Sequence, residues 1–474
     1  MIEDLDFPTV HAPLAHWAKV RPDVVAIDDG LQVITFAQLA DAVDARARLL
    51  AAERAPMTVW VDDGLAVAAR LIDFLGIIAS GRRAAVADPQ WPESVRMQMH
   101  AVIDQQPVDA PAPEPATPFY VGFTSGSTGL PKGFYRDHRS WIESFRICVA
   151  EFGEGAATRV LAPGRASHSL FLFGMLLGLW TGAGVVVQGQ FSAARALDAL
   201  LAGRTRCLVA VPSQLLVMLQ TARRRALGPA VEVAQVMISG ARWMRERTPE
   251  LRKLFPNARI VEFYGASETS FIAWSEASAS LPAEVVGRPF ANVDIEVRDA
   301  ASPGEPGLIY VRSPMLFLGY VGDAHDETAA LRDGEWLSVR DMGYVDAQGR
   351  LCVLGRQKRM IVTQGKNLFP EELESVLESH PAIAQASVQA VADPLRGMQV
   401  VALVSFANTA CTAAVLGSWC RERLESFKAP RRYFVCDPWP FTASGKTDHA
   451  ALARMLAGTE LSTSQGEPCL IPLP

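Results

Sequence analysis

No Cys-x-x-Cys pair occurs in this chain of 474 residues, and its seven cysteines are scattered and odd in number. That pattern argues against a zinc ribbon or a disulfide framework and fits reduced thiols in a cytoplasmic protein. Basic charge is not in excess. The formal net charge is −6, so nothing in bulk attracts a polyanion and a nucleic-acid partner is not expected. The opening residues, Met1-Ile2-Glu3-Asp4-Leu5-Asp6, are acidic and do not read as a secretory signal. Internal repeats are absent, and uncharged runs are short with one exception. Leu170 to Val187 is 18 residues without a charge, but Gly174, Gly178, Gly182 and Gly184 interrupt it. It is expected to be a buried helix, a turn and a buried strand, with no membrane span.

What is present is globular. Apolar residues make up 49% and charged residues 20%, and the length calls for at least two domains. From residue 57 to residue 263, strands alternate with helices in the βα pattern of parallel sheets covered by helices. Thr35 is a natural N-cap for a helix starting at Phe36. Five prolines between Pro107 and Pro118 stiffen a linker. From Ile295 to Leu354, short strands separated by Pro-Gly, Asp-Gly and Gln-Gly turns predict a small antiparallel barrel or sheet. Beyond Gly355 a helix, two strands and another helix make a small α+β unit. The expected organisation is α/β: an N-terminal domain over 1–357, a small C-terminal domain over 358–455, and a disordered Gly, Ser, Thr and Pro-rich tail over 456–474.

The chain is organised around Thr124-Ser125-Gly126-Ser127-Thr128-Gly129-Leu130-Pro131-Lys132-Gly133, which follows the apolar strand Phe119 to Phe123. Four hydroxyls, three glycines and a lysine in ten residues read as a triphosphate cradle. Glycines let backbone N–H groups turn toward an anion, and Lys132 adds a positive charge. It is not the P-loop of the NTPases, since Pro131 precedes the lysine and Gly133 follows it, where Gly and Ser or Thr are required.

Other stretches carry chemistry. Phe263-Tyr264-Gly265-Ala266-Ser267-Glu268 places an acid at the carboxyl end of a strand, where open α/β sheets bind ligands and a carboxylate can take magnesium. Asp341 is expected to end a strand, where a carboxylate can accept ribose hydroxyls. Gly355-Arg356-Gln357-Lys358 marks the change of composition, and Thr442-Ala443-Ser444-Gly445-Lys446 puts a lysine after a Ser-Gly turn.

In this order and spacing the motifs resemble the adenylate-forming superfamily: acyl- and aryl-CoA synthetases, adenylation domains of peptide synthetases, and luciferases. The resemblance runs from about residue 10 to Asp448. It implies a large domain that binds ATP and a carboxylic acid, and a small domain that rotates between two half-reactions, acyl-adenylate formation and transfer to a thiol. It implies that Thr124 to Lys132 hold the β- and γ-phosphates, and that Glu268, with Thr128, serves Mg²⁺. Tyr264, in Gly265-Ala266-Ser267 context, would lie against adenine with Gly240-Ala241 as the other wall. Asp341 would take the ribose hydroxyls and Arg356 the ribose or α-phosphate. Lys358 fits the hinge, Gly365 and Asn367 the thioester-forming pose, and Lys446 the catalytic lysine. His168 matches the gate beside the acid, with Ser169, Met175, Gly240 and Ile272 around the acid pocket. Ser169 stands where domains selecting α-amino acids have Asp. A buried ammonium without a carboxylate is costly, so an aryl or acyl acid is expected.

The implied acceptor is coenzyme A, although Met360-Ile361-Val362 replaces residues often basic in coenzyme A ligases. The alternative is the phosphopantetheine of an acyl or peptidyl carrier protein, loaded by a stand-alone enzyme; the chain itself has no serine in an Asp-Ser-Leu context. A non-catalytic nucleotide-binding relative is disfavoured by the intact Glu268, Asp341 and Lys446. A monomer or homodimer is expected.

Overall fold

The structure, a computed structural model, describes residues 6–103, 106–125, 131–302, 304–322, 328–363, 366–393, 397–407, 409–442, 446–457 and 469–474. Six strands run parallel through the centre of the main sheet: Val25–Asp28, Val185–Val187, Val160–Ala162, Cys207–Ala210, Gln235–Ile238 and Arg259–Ala266. Their near-continuous apolar composition, with Val160, Leu161, Cys207, Leu208 and Val209 at 0% exposure, is what burial on both faces requires. After Arg259–Ala266 the sheet turns antiparallel through Ser270–Glu276 and Val285–Pro289. It continues into Leu351–Arg356, Asp341–Val345 and Gly307–Arg312. The antiparallel strands expected over 295–354 are therefore hydrogen-bonded into the main sheet, except Gly319–Tyr320, which joins the second.

A second sheet carries Thr58–Trp60, Arg83–Ala85 and Pro118–Ser125 in parallel, then Pro131–Asp137 antiparallel. The strand before the phosphate motif and the lysine after it are thus two arms of a hairpin, with Thr124 opposite Lys132 and Ser125 opposite Pro131. Leu170 to Val187 resolves as the helix Ser169–Trp180, a turn and the strand Val185–Val187. Among the described residues no helix is long and apolar enough to cross a membrane. Thr35 caps Phe36–Ala52 in a reciprocal box: its Oγ1 accepts from Gln38 N at 3.3 Å, and Gln38 Oε1 accepts from Thr35 N at 3.0 Å.

The hydrophobic cores change hands between Val353 and Ile361. Up to Val353 the buried residues join the clusters of the main sheets, and from Ile361 they form clusters of their own. The later unit packs Pro370–Glu378, Ala413–Arg421 and His449–Ala457 against a sheet of Ile383–Asp393, Gly397–Phe406, Arg432–Asp437 and Cys469–Pro472. The last strand corrects the expectation of a disordered tail. Polar composition suggested disorder, yet Leu470 and Leu473 pack on the small cores, and Leu473 N donates to Tyr433 O at 2.9 Å. Residues 458–468 of that tail lie outside the described residues.

The two units meet at charged groups. Burial pushes the Arg242 guanidinium down, joined by Arg245 and opposed by Glu371, Glu284 and Glu378. Glu378, at the end of Pro370–Glu378, is pushed up to about 8 by burial, against a hydrogen bond from Ala386 N, with Glu374 and Glu246 raising it and Arg242 lowering it. A carboxyl whose folded value lies above its unfolded value stabilises the fold fully below the unfolded value, and that contribution is lost as pH rises through the folded one. Glu378→Gln cannot ionise. It is expected to melt above the wild type at about pH 9, with the difference closing toward about pH 5. A thermal-shift series over pH checks this; a pH-independent difference would show that Glu378 ionisation is not linked to folding.

Candidate active site

Tyr264, Asp341 and Arg356 converge at the edge where parallel strands give way to antiparallel ones. Asp341 begins one strand and Arg356 ends its neighbour, and register sets them opposite each other. Arg356 Nε lies 3.3 Å from Asp341 Oδ1. Tyr264 Oη donates to Asp341 Oδ2. Burial raises the Asp341 carboxyl above its ordinary range, against the pull of Arg356, Tyr264 and Lys446. Asp341 Oδ1 is buried, and its partner among the described residues is the long Arg356 contact, which leaves a lone pair for a donor from a ligand, such as a ribose hydroxyl. Beside them Gly240 and Ala241 follow the strand Gln235–Ile238 and are exposed. Gly240 has φ +87°, a backbone that favours glycine.

Glu268 sits in a tight turn after Arg259–Ala266. Ala266 N donates to Thr269 Oγ1 at 3.0 Å. Gly265 passes so close to Ser270 O that an added Cβ would lie 1.8 Å from it, so a side chain there would break the turn. Glu268 Oε1 accepts from Tyr320 Oη at 2.9 Å, and its main-chain O accepts from Phe317 N at 2.7 Å. Lys132 Nζ stands 5.8 Å from the centre of the Tyr320 ring. The lysine of the phosphate motif and the carboxylate expected at the metal are thus brought to one wall. Gly126, Ser127, Thr128 and Gly129 lie outside the described residues.

His168 precedes the helix Ser169–Trp180. Its Nε2 is 3.9 Å from Oδ2 of Asp88, a buried carboxylate that also accepts from Ser167 Oγ at 3.4 Å and Arg165 Nη1 at 3.3 Å. Ser169 Oγ is 3.4 Å from the hydroxyl of buried Tyr120. Met175 and Ile272, expected beside the acid, are at 0% exposure in the main core. They present no surface to a cleft. Phe171, Phe173, Phe263 and Phe271 are buried nearby, exposed by 5, 6, 8 and 5%. Phe271 meets Phe173 and Phe263 edge to face, at centroid distances of 4.9 and 4.8 Å.

Lys446 comes from the later unit, yet it interacts electrostatically with three charges of the earlier one. Crowding and the Arg356 guanidinium push its ammonium down, and Glu268 and Asp341 push it up. Its surface is open to water, so solvent screens these interactions. The lysine still feels charges of the earlier unit across the boundary between the two. Lys358 lies in the short 3₁₀ turn Gln357–Arg359. Asn367 is in the strand Lys366–Leu368, and Gly365 falls outside the described residues. Sequence reasoning did not find Asp88, Tyr320 or Arg136. An Asp-Pro after a strand and a Gly-Tyr pair were weak signals for the first two, and nothing local marked Arg136 as buried.

Residues 69–321 match the model of the AMP-binding enzyme family, and residues 372–446 match that of the AMP-binding enzyme C-terminal domain. The chain is an AMP-binding enzyme. Among its relatives, this AMP-binding enzyme is 38% identical over 378 residues to an uncharacterized acyl–CoA ligase, YhfT, of Bacillus subtilis (strain 168), covering 78% of this chain and 76% of that protein. It is 31% identical over 386 residues to the indoleacetate–CoA ligase of Aromatoleum aromaticum, covering 78% and 73%. Its fold is similar to that of o-succinylbenzoate CoA synthetase (MenE) from Bacillus subtilis in complex with the acyl-adenylate OSB-AMP, with a TM-score of 0.82 at 23% identity over 97% of this chain and 99% of that one.

Proposed function

We propose that this AMP-binding enzyme is an acid–CoA ligase: it adenylates a carboxylic acid with ATP and passes the acyl group to the thiol of coenzyme A. The observation that supports the reading is the cluster of Tyr264, Asp341 and Arg356 in a chain that matches the AMP-binding enzyme family, with the charge of Lys446 from the small unit acting on it. Attack of a carboxylate on the α-phosphate brings two anions together, and a cation held at that point stabilises the transition state more than the ground state. Lys446 takes that role. Asp341 holds the ribose through Oδ1, kept in place by Tyr264 and Arg356. Lys132 takes the terminal phosphates. Residues 1–357 and 358–455 act as the two domains, turning about Lys358. The acceptor assignment is supported by relatives that are CoA ligases.

The carboxylate of Glu268 suits Mg²⁺, a hard cation that keeps oxygen ligands and is held by one or two carboxylates plus substrate phosphates. Tyr320 occupies Oε1, and Oε2 accepts no hydrogen bond among the described residues. When bound, Mg²⁺ supplies charge neutralisation at the phosphates. Glu268→Gln is therefore expected to raise the Mg²⁺ concentration giving half-maximal pyrophosphate release by roughly tenfold, the loss of one charge-assisted contact. An unchanged titration would remove Glu268 from the metal.

The acid is aryl or short and apolar. The four slightly exposed phenylalanines suit a ring, and Met175 and Ile272 are taken up by the core. Ser169 offers no carboxylate to an α-ammonium, and Asp88 is engaged by Arg165 and Ser167. Acid-dependent pyrophosphate release is expected with benzoate- and arylacetate-type acids and not with palmitate or α-amino acids. Palmitate as the best substrate would overturn this pocket.

A further inference from the structure

Arg136 has no place in the roles assigned above. It lies on the strand Pro131–Asp137, four residues after Lys132, and is 2% exposed. A buried guanidinium normally faces a carboxylate. Here it donates almost entirely to the backbone and hydroxyls around Glu268. Nη1 reaches Ser267 O at 2.8 Å, and Nη2 reaches Ser270 Oγ at 2.6 Å and Met315 O at 2.7 Å. Nε reaches Ser140 Oγ at 3.3 Å on its own side.

These acceptors bracket the carboxylate. Ser267 and Ser270 flank Glu268 in the turn, and Ser270 is held at φ +56°, a conformation that non-glycine residues seldom adopt. Met315 opens the segment whose Phe317 N and Tyr320 Oη bond Glu268 from the other side. That segment in turn pairs with the strand of Arg136, Tyr320 opposite Phe134. One side chain thus ties the strand carrying Lys132 to both segments that hold Glu268.

We infer that Arg136 is a positioning residue for metal-dependent adenylation, fixing Glu268 relative to Lys132 so that carboxylate and ammonium meet one phosphate group together. The fork geometry of arginine matters, because its three nitrogens reach four acceptors, whereas an ammonium has three donors on a single nitrogen. Placement within about half an ångström is what a preorganised site demands. This inference rests on the reading of Glu268 as the metal carboxylate, and the test separates the two.

The test measures the Mg²⁺ dependence of acid-dependent pyrophosphate release in Ser270→Ala, Arg136→Lys and Glu268→Gln, with a thermal melt of each. Ser270→Ala removes one acceptor of Arg136 and keeps the buried charge, so it carries the test on its own should Arg136→Lys melt too low to assay. For Ser270→Ala the expected result is a Mg²⁺ midpoint raised about threefold to tenfold, with the KM for the acid unchanged. Arg136→Lys is expected to shift it further, with kcat at saturating Mg²⁺ about thirtyfold down. A wild-type midpoint in folded Ser270→Ala, with Glu268→Gln shifted, overturns the positioning role and leaves Glu268 at the metal. A wild-type midpoint in Glu268→Gln overturns both.

Discussion

Replacing Lys446 with alanine is expected to slow acid-dependent pyrophosphate release by roughly a thousandfold, about 4 kcal/mol of barrier, while ATP binding and melting temperature stay close to wild type. The size follows from where the ammonium stands. It belongs to the small unit yet interacts electrostatically with Arg356, Glu268 and Asp341, and on the proposed reading it reaches the reacting atoms when the two units close. Its exposure means that little packing is lost with it, which is why stability should hold. A cation that acts where charge develops lowers kcat more than it weakens ground-state binding. Equilibrium ATP binding and single-turnover pyrophosphate release on the same preparation separate these effects. Wild-type turnover in the folded variant would remove Lys446 from the chemistry.

Lys358→Pro is expected to separate the half-reactions. Lys358 is in the 3₁₀ turn Gln357–Arg359, between the last strand of the large unit and the first of the small one. In a first helical turn proline's missing N–H costs little, and its ring holds φ near −65°. It also biases Gln357 away from the helical region, a modest strain on the present arrangement. Rotation of the small unit needs large backbone changes in a few hinge residues, and proline removes φ from them. Acyl-adenylate formation should survive within about tenfold, roughly 1.4 kcal/mol, because the arrangement that presents Lys446 already exists. Thioester formation should fall at least a hundredfold. Quenched reactions scored for pyrophosphate and for thioester check both, and a parallel fall would make Lys358 an ordinary turn residue.

The strand before Thr124 was legible because its signals are local, apolar β-branched and aromatic residues from Phe119 to Phe123, whereas its partner Pro131–Asp137 was not read from the sequence. The parallel sheet and the change near Gly355 were legible for a similar reason, since alternation and turn residues act over a few positions. Tyr264 was placed correctly at a strand end, but its bond to Asp341 spans 77 residues, and no pattern in either stretch foretells it. Met175 and Ile272 were apolar at the expected spacing, and apolar residues there serve the core as readily as a pocket. Arg136 shows the limit most clearly. An arginine in Phe-Tyr-Arg-Asp looks like a solvated strand face, and only acceptors 131 to 179 residues away account for its burial. The strand Cys469–Pro472 was missed because polar composition upstream masked four residues that complete a sheet edge.

The central claim is tested most directly by the products of one reaction. The enzyme is incubated with ATP, Mg²⁺ and an arylacetate, with coenzyme A, with a phosphopantetheinylated carrier protein, or with neither, and the quenched mixtures are resolved by mass spectrometry. The account predicts AMP and pyrophosphate in step with acyl-CoA when coenzyme A is present. Without an acceptor it predicts acyl-adenylate at about one equivalent per enzyme. Thioester on the carrier protein alone would contradict the acceptor assignment. Release of ADP and phosphate, or no acid-dependent AMP with any aryl, short aliphatic, long-chain or amino acid, would contradict the account as a whole.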